Sequence, residues 1–236
     1  MVEKFHEELK QVKKDVVKMG NLSKEMLQSS VKALKERDIE LAKLVISKKD
    51  KLADLDDKIE EKTLMLITLY QPMAKDMREI GCVLKLITYL NRIGRYGKDI
   101  ARITEDIAKK PHVKKLVSLP YMSELVCKMI DDSLEVFQNG DISKFDDFTE
   151  REDTVDEFRY SIFRECLSYM MEDPSVIKRC TDYIMVARYL ERCADHACKM
   201  AEKIVYMFTG VRCEIDSREG TKKECFTDVS LDDADE

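Results

Sequence analysis

Residues that interrupt helices are scarce in this sequence. Its 236 residues include only 7 Gly and 4 Pro, too few for an architecture of short strands joined by tight turns. Trp is absent and aromatic residues account for 7% of the chain, whereas charged residues account for 37%. This balance is typical of a helix-rich soluble protein, and the length suits one large domain or two modest ones.

Long apolar runs are also missing. Residues 83–90 form an apolar stretch, but Lys85 interrupts it, and a transmembrane span is therefore excluded. Residues 1–14 are charged throughout, unlike a cleavable signal peptide. We therefore expect a cytoplasmic protein that reaches a membrane only through a partner.

The net charge of −6 is concentrated at the C-terminal end of the chain. Residues 214–236 contain nine acidic and three basic side chains and carry −6 alone, so the rest of the chain is neutral overall. A neutral body argues against nucleic-acid binding, which requires a basic face. The acidic tail is poor in apolar residues, and we expect it to be disordered.

Cysteine and histidine do not form disulfide or metal-binding patterns. The 8 Cys are scattered with no C-x-x-C spacing, which indicates reduced thiols, several of them in the core. Cys193 and Cys198 are interpreted as packing residues rather than as a redox switch. Only 3 His occur, too few to build a site from imidazoles. His196 follows Asp195 and is open to two interpretations, a ligand or a neighbour of the ligands, or a surface residue, and we favour the surface residue.

Apolar residues recur at steps of three and four along almost the whole chain, which is the spacing of a helix packed against other helices. Breaks are predicted near 36–38, at Pro72, between Pro111 and Pro120, at Asn139-Gly140 and at 172–174. The pattern predicts six long helices, in residues 5–33, 41–69, 73–108, 122–139, 142–171 and 176–208.

The two halves of the chain resemble each other. At an offset of 103, Met26, Ser30 and Leu34 align with Met129, Ser133 and Phe137, and at an offset of 100, Tyr89, Leu90 and Arg92 align with Tyr189, Leu190 and Arg192. The repeat predicts an all-α fold of two tandem three-helix bundles. We place the bundles in residues 1–110 and 121–212, with a linker at 111–120 and the acidic tail at 213–236.

Two pairs of acidic residues stand four apart in the last two predicted helices. Glu152 and Asp156 share one face of the fifth helix, and Glu191 and Asp195 share one face of the sixth. A solvated face would explain such a pair elsewhere, but both pairs flank the apolar seam. Facing acid pairs repel unless a cation neutralises them. All-oxygen ligands favour Mg²⁺, Mn²⁺, Ca²⁺ or ferric iron over Zn²⁺.

Four short motifs stand out along the chain. They are residues 71–78 (QPMAKDMR), residues 151–156 (REDTVD), residues 169–173 (YMMED) and residues 190–196 (LERCADH). These motifs, in this order, resemble those of the PhoU family. The resemblance covers roughly residues 5–210 and leaves the acidic tail outside.

The resemblance implies a metal-binding cytosolic regulator of phosphate homeostasis. It implies two tandem bundles, each with a metal site of paired acidic motifs, and an ion that is iron, manganese, magnesium or zinc. The implied partners are the ATPase subunit of a phosphate ABC transporter, a sensor histidine kinase and a second copy of the chain. The implied activity is damping of phosphate uptake and of phosphate-starvation signalling.

The first half departs from the family pattern. At the offsets that relate the halves, Lys49 and Ala53 stand where two of the acids are expected. Asn91 and Arg95 replace the acids of the other helix. We therefore expect a single metal site, in the second bundle, formed by the metal ligands Glu152, Asp156, Glu191 and Asp195.

A different alignment of the two halves would place acidic residues at the metal-ligand positions of the first half. A shift of one residue brings Asp50 and Asp54 to the positions of Lys49 and Ala53, and Asp99 lies one turn beyond Arg95.

Other functions have less support from the residues. The chain has no Gly-rich phosphate loop and no Glu-x-x-His pairs of a di-iron oxidase, so we expect no enzymatic activity. A PhoU-like regulatory subunit of another membrane transport system, such as one for cations, is the main alternative. A helical scaffold with incidental acid pairs is another. Arg78 and Arg192 are each open to two interpretations, contact with phosphate or an ion pair with a neighbouring carboxylate.

Overall fold

The computed structural model of the chain describes residues 2–215, and that range is entirely helices and connecting segments, without a strand. The all-α prediction is therefore confirmed. The α-helices are α1 (Val2–Glu36), α2 (Ile39–Ser47), α3 (Lys49–Tyr70), α4 (Ala74–Ile107), α5 (Ser118–Asn139), α6 (Phe148–Glu172) and α7 (Ile177–Thr209). Short 3₁₀ turns at Ile142–Phe145 and Pro174–Val176 precede α6 and α7.

The predicted second helix is divided into α2 and α3, which corrects the expectation of one continuous element. At Lys48 the backbone N–H bonds to the carbonyl of Val45 at 3.1 Å, a tighter turn that interrupts the α-helical hydrogen bonding. Apolar residues continue on both sides of the turn, with Val45 buried before it and Leu52 after it. The periodicity therefore gives no sign of the break.

The other helix ends follow local chemistry. Asp38 caps α2 by accepting a hydrogen bond from the backbone N–H of Leu41 at 2.9 Å. Gly140 ends α5 with φ of 80°, a conformation that favours glycine. α5 begins at Ser118, earlier than the predicted residue 122, because Pro120 falls in its first turn, where a missing N–H costs nothing.

Six of the helices are long and pack as two bundles that share one core. α1, α3 and α4 form the first bundle with the short α2, and α5, α6 and α7 form the second. α4 packs along α7 and α1 packs along α5, so the long helices join the bundles. Ser30 and Ser133, which the repeat aligns, are both fully buried, as expected for equivalent positions.

The cysteines behave as packing residues where the structure describes them. Those from Cys82 to Cys198 are buried and reduced, and Cys213 is half-buried. Burial raises the pKa of Cys193 and of Cys198 well above the ordinary thiol value. Cys225 lies outside the described residues. Of the tail predicted to be disordered, at 213–236, the structure describes only residues 213–215.

Within residues 2–215, no helix has both the length and the apolar character needed to cross a membrane.

Two glycines of α4 should respond to alanine in opposite directions. A Cβ on Gly97 would lie 2.9 Å from the backbone nitrogen of Leu27, whereas a Cβ on Gly81 would meet no atom within 4 Å. We expect Gly97→Ala to lower the free energy of unfolding by about 1–3 kcal/mol through overpacking. Gly81→Ala should raise it by up to about 1 kcal/mol because alanine favours the helix.

Chemical denaturation of the two variants and of the parent chain measures both effects. Equal changes for the two alanines would contradict the close approach of α4 to α1 at Gly97.

Candidate metal centre

α6 and α7 lie side by side in an antiparallel register. Cys166 of α6 shares a hydrogen bond with Cys180 of α7, and further along the pair Arg159 lies 3.8 Å from Glu191. All four predicted metal ligands belong to these two helices, Glu152 and Asp156 to α6 and Glu191 and Asp195 to α7.

The four carboxylates lie at the buried seam rather than on a solvated face. Glu191 is 1% exposed and Glu152 is 5% exposed, which is rare for glutamate. Asp156 and Asp195 are half-buried. Acid pairs on a solvated face do not describe this arrangement, since the buried charges of Glu152 and Glu191 require neutralisation.

Two of the other carboxylates act on that of Glu191. Burial raises the pKa of Glu191, and the carboxylates of Asp195 and Asp156 raise it further. Arg188 and Arg159 oppose that rise. Glu152 lies further along the seam, where its charge acts on the thiol of Cys198.

Arginines accompany the carboxylates. The Arg188 guanidinium donates a hydrogen bond to Oε1 of Glu191, and Arg159 approaches the same oxygen from α6. Arg192 lies 3.4 Å from Asp195, which favours the ion-pair interpretation of Arg192. Arg188 and Arg192 each stand three residues before the acid that they contact, a helical spacing that the sequence contains and that could have revealed both pairs.

The carboxylate oxygens are of the type that binds a hard cation, although in the structure Glu191 and Asp195 contact arginines instead. Within residues 2–215, no three His, Cys, Asp or Glu side chains are gathered as a ready set of ligands for an ion. One oxygen of Asp156, Oδ1, is buried without a hydrogen bond. A buried carboxylate oxygen of this kind is a competent ligand for a hard cation.

His196 is not a surface residue, which corrects that expectation. Its ring stacks between the two bundles, 5.6 Å from the ring of Tyr89 and 6.0 Å from the ring of Tyr96. Burial lowers the pKa of His196 to about 4, and the charges of Arg92 and Arg192 lower it in the same direction. The imidazole is therefore neutral at physiological pH.

The first bundle has the same helix register with different side chains. The amide of Asn91 on α4 donates a hydrogen bond to Asp56 on α3. The offsets of the repeat map Asp56 onto Arg159 and Asn91 onto Glu191, which are also in contact. The structure thus aligns the halves as the repeat does and leaves Lys49 exposed at the position equivalent to Glu152.

The acids that the one-residue shift would bring to the ligand positions do not form a cluster in the first bundle. Asp50 and Asp54 are exposed on α3. Asp99 pairs with Lys98 at 3.2 Å and with Arg102 at 4.0 Å. Arg95 lines a cavity of about 450 Å³ beside Asp56 and Asn91.

Comparison with known proteins agrees with the two-bundle architecture. The sequence profile of the PhoU domain matches the chain twice, at residues 16–104 and 119–204. The chain belongs to the PhoU family. The two matches correspond to the two bundles and account for the internal repeat as two copies of one PhoU domain.

Curated PhoU relatives and solved PhoU structures resemble the chain over most of its length. A "phosphate-specific transport system accessory protein PhoU homolog" from Rhizobium meliloti is 37% identical over 88% of each chain. One of the same description from Aquifex aeolicus is 37% identical over 88% of this chain and 94% of its own. The crystal structure of PhoU from Pseudomonas aeruginosa has a TM-score of 0.84 at 30% identity, covering 88% of this chain and 100% of that chain.

The Asp56–Asn91 pair provides a test of the first-bundle register. Burial raises the pKa of Asp56, and the Asn91 amide opposes the rise. We expect Asn91→Ala to lower the free energy of unfolding by about 1 kcal/mol, because Asp56 loses its donor. Thermal or chemical denaturation of the variant measures this loss.

A double-mutant cycle supplies the control. In an Asp56→Ala background the cost of Asn91→Ala should largely disappear, whereas in a background of Asp57→Ala, the exposed neighbour, it should persist. Equal costs in both backgrounds would contradict the contact.

Proposed function

We propose that this PhoU-family chain is an accessory regulator of a phosphate-specific transport system. The observation that supports the proposal is the pair of PhoU domains together with relatives that match over nearly their whole length. Those relatives are named as accessory proteins of such a system. We infer a regulatory rather than an enzymatic role.

In the fuller form of the proposal the chain is a negative regulator. It damps uptake through the ATPase subunit of a phosphate ABC transporter and damps phosphate-starvation signalling through a sensor histidine kinase. An apolar stripe on α6 suits contact with another protein, whether a transport partner or a second copy of the chain. The stripe consists of Tyr160, Phe163, Leu167 and Met171, all of them exposed.

We further propose that the second bundle binds a metal ion through Glu152, Asp156, Glu191 and Asp195. A bound ion would supply the positive charge that Arg159, Arg188 and Arg192 supply in the structure. Glu191 and Glu152 are fixed in the packed seam, which orients their carboxylates. Asp156 offers the oxygen that no hydrogen bond occupies.

The first bundle is proposed to lack this site. Its contact at the equivalent position joins Asp56 to an uncharged amide, and Arg95 stands at the position of Asp195. The exposed lysine at position 49 replaces the buried Glu152. These side chains offer too few anionic oxygens, and two of them would repel a cation.

Metal binding should depend on the second bundle alone. We expect Glu191→Gln to reduce metal binding at least about tenfold, because the amide keeps the size of the side chain but loses the anionic ligand. The matched control is Asp54→Asn, the same change at an exposed acid of the first bundle. Elemental analysis after incubation with Mn²⁺ or Fe³⁺ and removal of free ions measures the bound metal.

Two results would contradict the metal proposal. One is a Glu191→Gln variant that binds as much metal as the parental chain. The other is an equal loss of metal from Asp54→Asn.

The regulatory proposal is tested in cells that lack the protein. In phosphate-rich medium we expect the deletion strain to show raised phosphate uptake and raised alkaline phosphatase activity, because both outputs lose their restraint. Expression of the parental chain should restore both. Expression of the Glu191→Gln variant shows whether the proposed metal ligands take part in the regulation.

Unchanged phosphate uptake and phosphatase activity in the deletion strain would overturn the proposal. A change in cation uptake instead would favour the alternative, in which the chain regulates another transport system.

A further inference from the structure

A second candidate site lies towards the C-terminal end of α7, and it begins at Lys199, one helical turn after Asp195. A cavity of about 850 Å³ opens between the first half of α4 and the last turns of α7. The segment that follows α7 folds back to form another wall, because Ile215 is 5% exposed and its N–H donates to Oε1 of Glu202 at 3.0 Å. Three parts of the chain therefore line one space.

The lining of this cavity is strongly basic. Arg78 and Lys85 contribute from one face of α4, two turns apart, and Lys203 and Arg212 contribute from the opposite walls. None of these four cations makes an ion pair with another residue of the described range 2–215. Four positive charges without an ion-pair partner at one concave site attract anions.

The acids at the cavity are already engaged. Lys199 lies 2.9 Å from Glu202 and 3.7 Å from Glu214. Glu202, which is 4% exposed, also accepts the hydrogen bond from Ile215. The lining has five basic and two acidic side chains, so the cavity carries a net charge of +3 with both carboxylates counted.

We propose that this cavity binds a multivalent oxyanion of the phosphate type, either free phosphate or a short chain of phosphoryl groups. Arginine presents a planar set of donors that matches phosphate oxygens, and lysine adds a mobile point charge. Nε of Arg78 is buried without a hydrogen bond, so this side chain holds an unused donor beside the cavity. The inference stands on the cavity and does not depend on the proposed regulatory function.

A purely structural role explains only part of this arrangement. The Arg78 guanidinium packs against Gly210, and a Cβ on that glycine would lie 3.7 Å from Cζ of Arg78. This contact places a cation near the C-terminal end of α7, where the helix dipole favours positive charge. Arg212 lies over the ring of Tyr206 at 5.3 Å. Neither contact uses Lys85 or Lys203, which remain as cations directed to the same space.

Calorimetric titration of the full chain tests the proposal. The probes are inorganic phosphate, pyrophosphate and tripolyphosphate, each at low and at high salt. We expect saturable binding that weakens with salt. The double variant Lys85→Gln and Lys203→Gln should weaken it at least about tenfold, because two charge-assisted contacts are lost. Arg78→Gln should weaken it as well.

The matched control is the double variant Lys51→Gln and Lys58→Gln, which removes two exposed lysines spaced two turns apart on α3. It should leave binding unchanged, and circular dichroism should show that every variant is folded. Tighter binding of tripolyphosphate than of phosphate would identify a phosphoryl chain, and equal binding a single phosphate.

Two results would overturn the proposal. One is the absence of saturable binding to all three probes. The other is an equal loss of binding in the cavity variant and the control variant, which would indicate general screening of charge. Neither result bears on the deletion phenotype or on metal content, so this inference can fail while the proposed function stands.

Discussion

The packing of α4 against α7 is the contact on which the rest of the structure depends. These helices are the last of their bundles, with 34 and 33 residues, and each also packs against the other helices of its own bundle. Three features follow from their contact. The ring of His196 packs against tyrosines of α4, and the basic cavity forms between the two helices. A different face of α7 contacts α6, and Glu191 lies on that face.

The two bundles show how one register can hold different chemistry. Equivalent positions of each helix pair are in contact, Asp56 with Asn91 in one bundle and Arg159 with Glu191 in the other. The backbone geometry is repeated, whereas the charge is not. The second bundle buries a glutamate among arginines and aspartates, and the first keeps one carboxylate paired with an amide. The two copies therefore share this contact between equivalent positions while their side chains differ in charge.

Periodicity was sufficient to predict the helical class, the long helices and their repeat, because apolar spacing reports directly on packing. It could not reveal the turn at Lys48, since buried residues continue on both sides. It also missed the position of His196, because ring stacking depends on α4 meeting α7, and neither helix encodes that contact alone. The ion pairs of Arg188 and Arg192 could have been predicted from the sequence, since each arginine precedes its acidic partner by three residues.

The return of the chain onto α7 at Ile215 has a practical consequence for anyone shortening this protein. A chain cut at Gly210, where the last helix ends, would still contain both bundles. It would, however, lose Arg212 and one wall of the basic cavity, and the buried Glu202 would lose the N–H of Ile215 as a donor. The packed part of the second bundle therefore extends beyond its last helical residue, and fusion tags belong after Ile215.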